Sequence, residues 1–169
     1  CNGHAIKTGL GLAVQADMRV FAKEGKYGFL QSRRGVVADF AIEYVLPRLV
    51  GFERAFELLV RAPRLSGEEA VALGLAGRSV PSEEVLETAL EIARDICVNC
   101  APLPVGLHKH LLWRGLAMDA EELTRVETLA LVHTMSTPDA IEGGMAYIER
   151  RTPQWTARIN KDWPDWLKD

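Results

Sequence analysis

Residues 2–39 read NGHAIKTGLGLAVQADMRVFAKEGKYGFLQSRRGVVAD, and this stretch decides the fold. It opens on small residues, Asn2-Gly3-His4-Ala5, and passes through Thr8-Gly9-Leu10-Gly11 into an apolar helical pattern that stops at Asp17. A β-like run, Met18-Arg19-Val20-Phe21-Ala22, follows, then Lys26-Tyr27-Gly28-Phe29. The pattern predicts a small-residue loop feeding a helix N-terminus, then strands that bring the chain back past that loop. The first N–H groups of a helix lack intrahelical acceptors and carry partial positive charge, so such a turn suits an anion or a developing oxyanion. Glycine there lets a ligand approach the backbone closely.

A dinucleotide fingerprint is the first alternative for Gly9-x-Gly11. It fails because Val14 stands where the third glycine belongs, and no strand–helix–strand unit with a ribose-binding acid follows. Beyond Gly35 the chain reads as mainly helical. A helical pattern begins at Asp39 (Phe40, Ile42, Tyr44, Val45, Leu46) and meets Pro47, and a second amphipathic helix runs from about Glu53 to Val60. Ser66-Gly-Glu-Glu69 is a capping box that starts another helix, ending near Gly74, and Leu75 to Val80 reads as extended. Helices are then expected from Pro81 to Cys97, from Val105 to Leu116 after the breaker Ala101-Pro102-Leu103-Pro104, and to about Met135 after the box Asp119-Ala-Glu-Glu122. A last helix is expected after the cap Thr137-Pro138-Asp139, ending at about Arg151. Three of the four tryptophans, Trp155, Trp163 and Trp166, sit in the tail and read as anchors packing it on this or a neighbouring subunit.

The 169 residues suffice for a domain with a real core, and 48% hydrophobic with 25% charged residues is the balance of a globular protein. A net charge of -3 and a pI near 5.9 argue against a nucleic-acid or membrane-surface binder. No apolar run approaches the roughly 20 residues of a bilayer span. Cys1, Cys97 and Cys100 make no disulfide framework, and Cys97-Val-Asn-Cys100, with no second pair, reads as helix-end packing rather than a redox or metal site. A reducing, cytoplasmic compartment fits this usage. Cys1 stands in what reads as the middle of a strand without an initiator Met, so an N-terminal portion is expected to precede it.

The ordered set of motifs resembles the crotonase (enoyl-CoA hydratase/isomerase) superfamily. Carrying the resemblance are Asn2-Gly-His-Ala, Thr8-Gly9-Leu10-Gly11-Leu12-Ala13, Ala16-Asp17-Met18-Arg19, Lys26-Tyr27-Gly28 and Gly35. So do Leu46-Pro47-Arg48-Leu49-Val50-Gly51, Arg54-Ala55, Leu58-Leu59, the run from Ser66 to Leu75, Val80-Pro81, and Glu142-Gly143 through Ala146-Tyr147 to Glu149-Arg150-Arg151. The resemblance implies an α/β fold of the ClpP/crotonase type. Residues 1–80 would be the C-terminal part of a ββα spiral with the oxyanion-hole turn, and 81–169 a helical trimerisation and CoA-contacting region with a tail. It also implies a homotrimer or hexamer, an acyl-CoA thioester as substrate, and no cofactor beyond the coenzyme A that the substrate carries. Nucleic acid and membrane are not implied partners. A separate N-terminal chain or fragment is, because the family's N-terminal half, with the adenine-cradling loop and the second oxyanion amide, has no counterpart here.

By the same resemblance the Gly-Gly-Gly turn of the family reads Lys7-Thr8-Gly9, and the oxyanion donor is the N–H of Thr8 with Gly9 beside it. A backbone donor survives a side-chain change, and losing one such donor costs roughly 3–4 kcal/mol of transition-state stabilisation. The two hydratase glutamates fall at Gly11 and Gln31, neither of which transfers a proton, so two-glutamate water addition is not expected. Asp39 aligns instead with the aspartate that serves as nucleophile in aryl-CoA dehalogenases and as base in dienoyl-CoA isomerases. It equally fits a plain cap on a helix starting at Phe40.

His4, beside the turn, and Gln31 are candidate substrate contacts. Tyr147 and Arg150 match a helix that meets the CoA adenine and phosphate in relatives, though a solvated helix face explains them as well. Glu43 reads as a solvated helix residue, Arg33 and Arg34 as local ion-pair partners or phosphate contacts, and His108 and His110 point to different helix faces. Two functions remain open at this level. One is an acyl-CoA enzyme (isomerase, hydrolase or dehalogenase-like), with Thr8, Gly9 and Asp39 at its centre. The other is an inactive crotonase-fold subunit that binds CoA or serves assembly.

Overall fold

A computed structural model describes residues 1–167, which separate into two compact units, the first Cys1–Glu91 and the second from Ile92 onward. In the first, β1 (Ala5–Ile6) leads into α1 (Thr8–Ala13), followed by β2 (Val20–Ala22) and β3 (Tyr27–Gly28). A 3₁₀ turn at Ser32–Arg34 leads to α2 (Ile42–Val50), α3 (Phe52–Val60), α4 (Gly67–Ala72) and β4 (Arg78–Val80). β1 pairs in parallel with β3, Ala5 opposite Tyr27, and β2 pairs in parallel with β4, Phe21 opposite Ser79. The chain therefore does return past the loop ahead of α1, as the sequence implies.

Parallel neighbours must be joined by crossovers, and here α1 and the helices α2 to α4 supply them. The core beneath is apolar: Leu10, Phe21, Phe29, Ile42, Leu46 and Leu75 are all but fully buried. Fully burying each such side chain is worth about 1.5–3 kcal/mol. Gly28 is required by close packing, since a Cβ there would lie 2.7 Å from the Pro63 carbonyl oxygen.

Several local expectations hold. Ser66 Oγ accepts from Glu69 N at 3.2 Å while Glu69 Oε2 accepts from Ser66 N at 2.7 Å, the complete capping box. Others are corrected. α2 starts at Ile42, not Phe40, because Phe40 and Ala41 take the left-handed conformation (φ 57° and 49°). Ala41 is the N-cap and no side chain caps the helix, so Asp39 is not the cap that its position suggested. The same helix runs through Pro47 and ends at Gly51 (φ 83°), one turn later. The expected break is present, with the preceding helix ending at Asn99 and Ala101 extended, but the next helix, α6 (Pro102–Gly115), starts at Pro102 rather than Val105, since a missing N–H costs nothing at the first position.

The second unit is helical. After α5 (Val85–Asn99), which crosses into it, come α6, α7 (Ala120–Met135), α8 (Pro138–Glu149) and the short α9 (Ile159–Asp162). Leu103, Leu107, Leu111 and Ala130 form its core with Ala157 and Leu167 of the tail. Cys97 and Cys100 are free and exposed rather than packed at a helix end. Trp155 donates its indole N–H to the Val98 carbonyl (3.1 Å), and Trp163 packs edge-on to His110, so both anchor the tail on this same chain.

Two acids on α8 hold that tail. The Thr137 hydroxyl, expected to cap α8, bonds back to the Thr134 carbonyl instead. Asp139 is buried and accepts from Thr156 N (2.7 Å), Thr156 Oγ1 (2.8 Å) and Ala157 N (3.1 Å). Glu142 accepts from both Arg151 terminal nitrogens (2.5 and 2.9 Å) and from Gln154 N (2.7 Å). The Arg151 hydrogen bonds foremost, then the Gln154 amide, pull the Glu142 carboxyl down from 4.5 to about 2. A depressed carboxyl stabilises the fold fully above its unfolded value and ceases to as pH falls through its folded one. Glu142→Gln should therefore melt below wild type at neutral pH, the gap closing between pH 4.5 and about 2. Thermal melts of both proteins across that range check it, and a pH-independent gap would contradict it. Asp139→Ala leaves buried N–H groups without an acceptor and should cost about 3 kcal/mol, read as a lower urea midpoint.

Candidate functional site

The turn between β1 and α1 is held by Lys7 N donating to the Gly28 carbonyl (2.8 Å). Lys7 itself sits at φ 56°, ψ -125°, outside the wells comfortable for a residue with a Cβ. α1 begins directly after it, and among the described residues the N–H groups of Thr8 and Gly9 donate to no backbone carbonyl outside the helix. They are exposed first-turn donors of the kind an oxyanion needs.

Asp39 lies against this turn. Thr8 Oγ1 donates to Asp39 Oδ2 at 2.9 Å. On the next turn of α1, Gly11 is buried, and a Cβ built there would lie 3.4 Å from Asp39 Oδ1 and 3.4 Å from the Phe40 ring. A longer side chain at position 11 would have to occupy space that the carboxylate and the ring now fill. Gln15 follows in the turn beyond the end of α1, its Nε2 donating to the Phe40 carbonyl (2.8 Å). Sequence reasoning used Thr8 for its amide, missed its hydroxyl, and passed over Gln15. The signal available was spacing for Thr8 and Gly11, three apart on one helix face; none marked Gln15.

Of the other candidates, His4 is engaged by structure, its Nδ1 accepting from Lys26 N at 3.0 Å, which places any ring proton on Nε2. Gln31 is 94% buried by difference from its 6% exposure, and neither atom of its carboxamide has a partner. Burying such an amide unpaired costs about 1–3 kcal/mol. Arg33 donates through Nε and Nη2 to the Arg61 carbonyl (3.1 and 2.8 Å) rather than to a carboxylate. Glu43 is exposed on α2.

In the second unit, Tyr147 is exposed and Arg150 ends α8 in the left-handed conformation (φ 54°). Both line a shallow cavity of about 480 Å³ with Ile148 and Arg151. His108 and His110 lie on α6, and no cluster of three or more metal-ligating side chains occurs among the described residues.

The Lys7 conformation has a measurable consequence. A non-glycine residue held there costs about 1–3 kcal/mol, more than the roughly 0.5–1 kcal/mol of chain entropy that glycine adds to the unfolded state. Lys7→Gly should raise stability by about 1 kcal/mol, and Lys7→Val should lower it by more. Urea unfolding of the three proteins checks both signs.

The family model described as enoyl-CoA hydratase/isomerase matches residues 1–158. Enoyl-CoA hydratase ACTT3 of Alternaria alternata is 34% identical over 155 residues, covering 91% of this chain and 52% of that protein. Carnitinyl-CoA dehydratase of Salmonella typhi is 32% identical over 161 residues, 93% of this chain and 61% of that protein. Among solved structures, a probable enoyl-CoA hydratase/isomerase from Mycobacterium abscessus superposes with a TM-score of 0.90 at 43% identity, covering 93% of this chain and 61% of that one. Enoyl-CoA hydratase from Bacillus anthracis gives 0.87 at 31% identity, covering 92% and 60%. The chain thus spans about half to three-fifths of the length of these relatives. The shared architecture is the crotonase-like α/β fold, and the chain belongs to the enoyl-CoA hydratase/isomerase family.

Proposed function

We propose that this chain supports proton transfer at the α-carbon of an acyl-CoA thioester, with Asp39 as the carboxylate that takes and returns the proton. The observation that carries the reading is the Thr8–Asp39 hydrogen bond. It sets a carboxylate beside the residue whose N–H faces the thioester oxygen in this family. Asp39 removes the α-proton, the C–H electron pair becomes the C=C bond of an enolate, and the charge rests on the thioester oxygen at the Thr8 and Gly9 turn. Once the Asp39 carboxyl has traded its proton with solvent, delivery of the solvent-derived proton to the same carbon gives exchange, and in an unsaturated acyl group delivery to a conjugated carbon gives isomerisation. Neither step needs the glutamates that Gly11 and Gln31 replace.

Gln31 offers its buried carboxamide to the substrate or to a water held with it. His4 borders the turn, with Nε2–H as the ring atom left to it. Tyr147 and Arg150 would hold the coenzyme A portion by stacking and charge-assisted hydrogen bonds. Exposed Leu112, Leu131, Val132 and Met135 on α6 and α7 support assembly as a homotrimer or hexamer. A second reading, a CoA-binding or assembly subunit without catalysis, is favoured by the loss of both glutamates.

The test is α-proton exchange of butyryl-CoA in deuterium oxide, followed by proton NMR. Wild type should exchange, Asp39→Asn should slow exchange by at least about 100-fold, and crotonyl-CoA hydration should stay at background. Exchange unaffected in the variant would remove Asp39 from the mechanism. Calorimetric CoA binding by a wild type that never exchanges would select the assembly reading.

A further inference from the structure

Asp39 stands at the start of an unusual stretch of backbone. Phe40 and Ala41, neither of them glycine, are both left-handed (φ 57° and 49°). Two such residues in succession are costly and persist only where surrounding contacts impose them. Those contacts come from α1 and the turn that follows it. Thr8 donates to the Asp39 carboxylate (2.9 Å), and Gln15 donates to the Phe40 carbonyl (2.8 Å). Between them Gly11 leaves the gap that Asp39 Oδ1 and the Phe40 ring occupy. Thr8 and Gly11, three apart, share one face of α1, and Gln15 follows in the turn beyond its end. On the carbonyl side, Ile42 N closes the turn by donating to the Asp39 carbonyl at 3.3 Å.

We infer that Thr8, Gly11 and Gln15 form a positioning cradle that holds the strained Asp39–Ala41 segment and aims the Asp39 carboxylate over the first turn of α1. This rests on the reading of Asp39 as the proton-transferring group. Thr8 then has two separable functions: its N–H faces the thioester oxygen, and its hydroxyl orients the base. The cradle takes one of the two carboxylate oxygens, Oδ2, and leaves Oδ1 to receive the proton. Positioning of this kind acts on the chemical step rather than on substrate binding, because the Thr8 hydroxyl and the Gln15 amide are engaged with Asp39 and the Phe40 carbonyl.

Substitution separates these functions. Thr8→Val keeps shape and backbone amide but deletes the hydroxyl, Thr8→Ser restores the hydroxyl, and Gln15→Leu deletes the second contact. With butyryl-CoA exchange as readout, Thr8→Val and Gln15→Leu should each lower kcat roughly tenfold, the loss expected for one hydrogen bond to a charged or strained group. KM should stay within about twofold, and Thr8→Ser should recover most of the rate. Thermal melts confirm that each variant is folded. If Asp39→Asn is inactive while Thr8→Val and Gln15→Leu match wild type, the cradle is overturned and the role of Asp39 stands. If Thr8→Ser is as slow as Thr8→Val, the hydroxyl is not the agent and the inference fails. An Asp39→Asn protein that exchanges like wild type overturns the role of Asp39 and the cradle with it.

Discussion

Tyr27 is the residue on which the first unit closes. Its backbone exchanges hydrogen bonds with Leu65 in both directions (2.9 and 2.8 Å), and it stands opposite Ala5 in the parallel pair. Its ring stacks on Phe21 at 4.1 Å between centroids, and its hydroxyl donates to the Ala22 carbonyl (3.1 Å). The two small sheets share no strand, so this stacked pair is what locks β3 of one to β2 of the other. Burial is complete, and it pushes the Tyr27 phenol above its ordinary range. With β3 fixed, the Gly28 carbonyl is fixed, and with it Lys7, the turn, and the first residue of α1. The position of the Thr8 amide follows from aromatic packing in the core through a short chain of backbone bonds.

Local chemistry was legible in the sequence, and tertiary chemistry much less so. The Ser66–Glu69 box, the helix after Asp119 and the extended piece before Val80 all depend on side chains a few residues from their partners. The capacity of the Lys7–Gly9 turn to present free amides was also readable, since small residues ahead of an apolar helix mark it. Asp39 was harder. Nothing in Asp39-Phe40-Ala41 advertises consecutive positive φ values, because the residues that usually signal them, glycine and asparagine, are absent. The reading of Asp39 as a cap was therefore reasonable from composition and wrong in space. Asp139 shows the same limit from the other side. It reads as a first-turn helix acid, yet its partners lie in the tail at Thr156 and Ala157.

The second unit applies one device twice. Asp139 and Glu142 lie one turn apart on α8, and each gathers amides from the segment that follows Arg150. The turn at Arg150 makes this possible, since its left-handed backbone reverses the chain so that Arg151 can reach back to Glu142. Beside that reversal Tyr147 and Ile148 face outward while Ala146 is buried and its carbonyl accepts from Arg151 N (3.0 Å), so the last turn of α8 divides into a packed side and an open one.

Positions 11 and 39 constrain each other sterically. A Cβ at position 11 would lie 3.4 Å from Asp39 Oδ1 and from the Phe40 ring, so any side chain there starts in contact with both. Two carboxylates in such contact cannot both ionise without a large penalty. An acid on α1 and an acid at residue 39 would therefore couple, one of them holding its proton more tightly than it would alone. With glycine at position 11, the Asp39 carboxylate lies against α1 within hydrogen-bond reach of the Thr8 hydroxyl, and the backbone that brings it there is left-handed at Phe40 and Ala41.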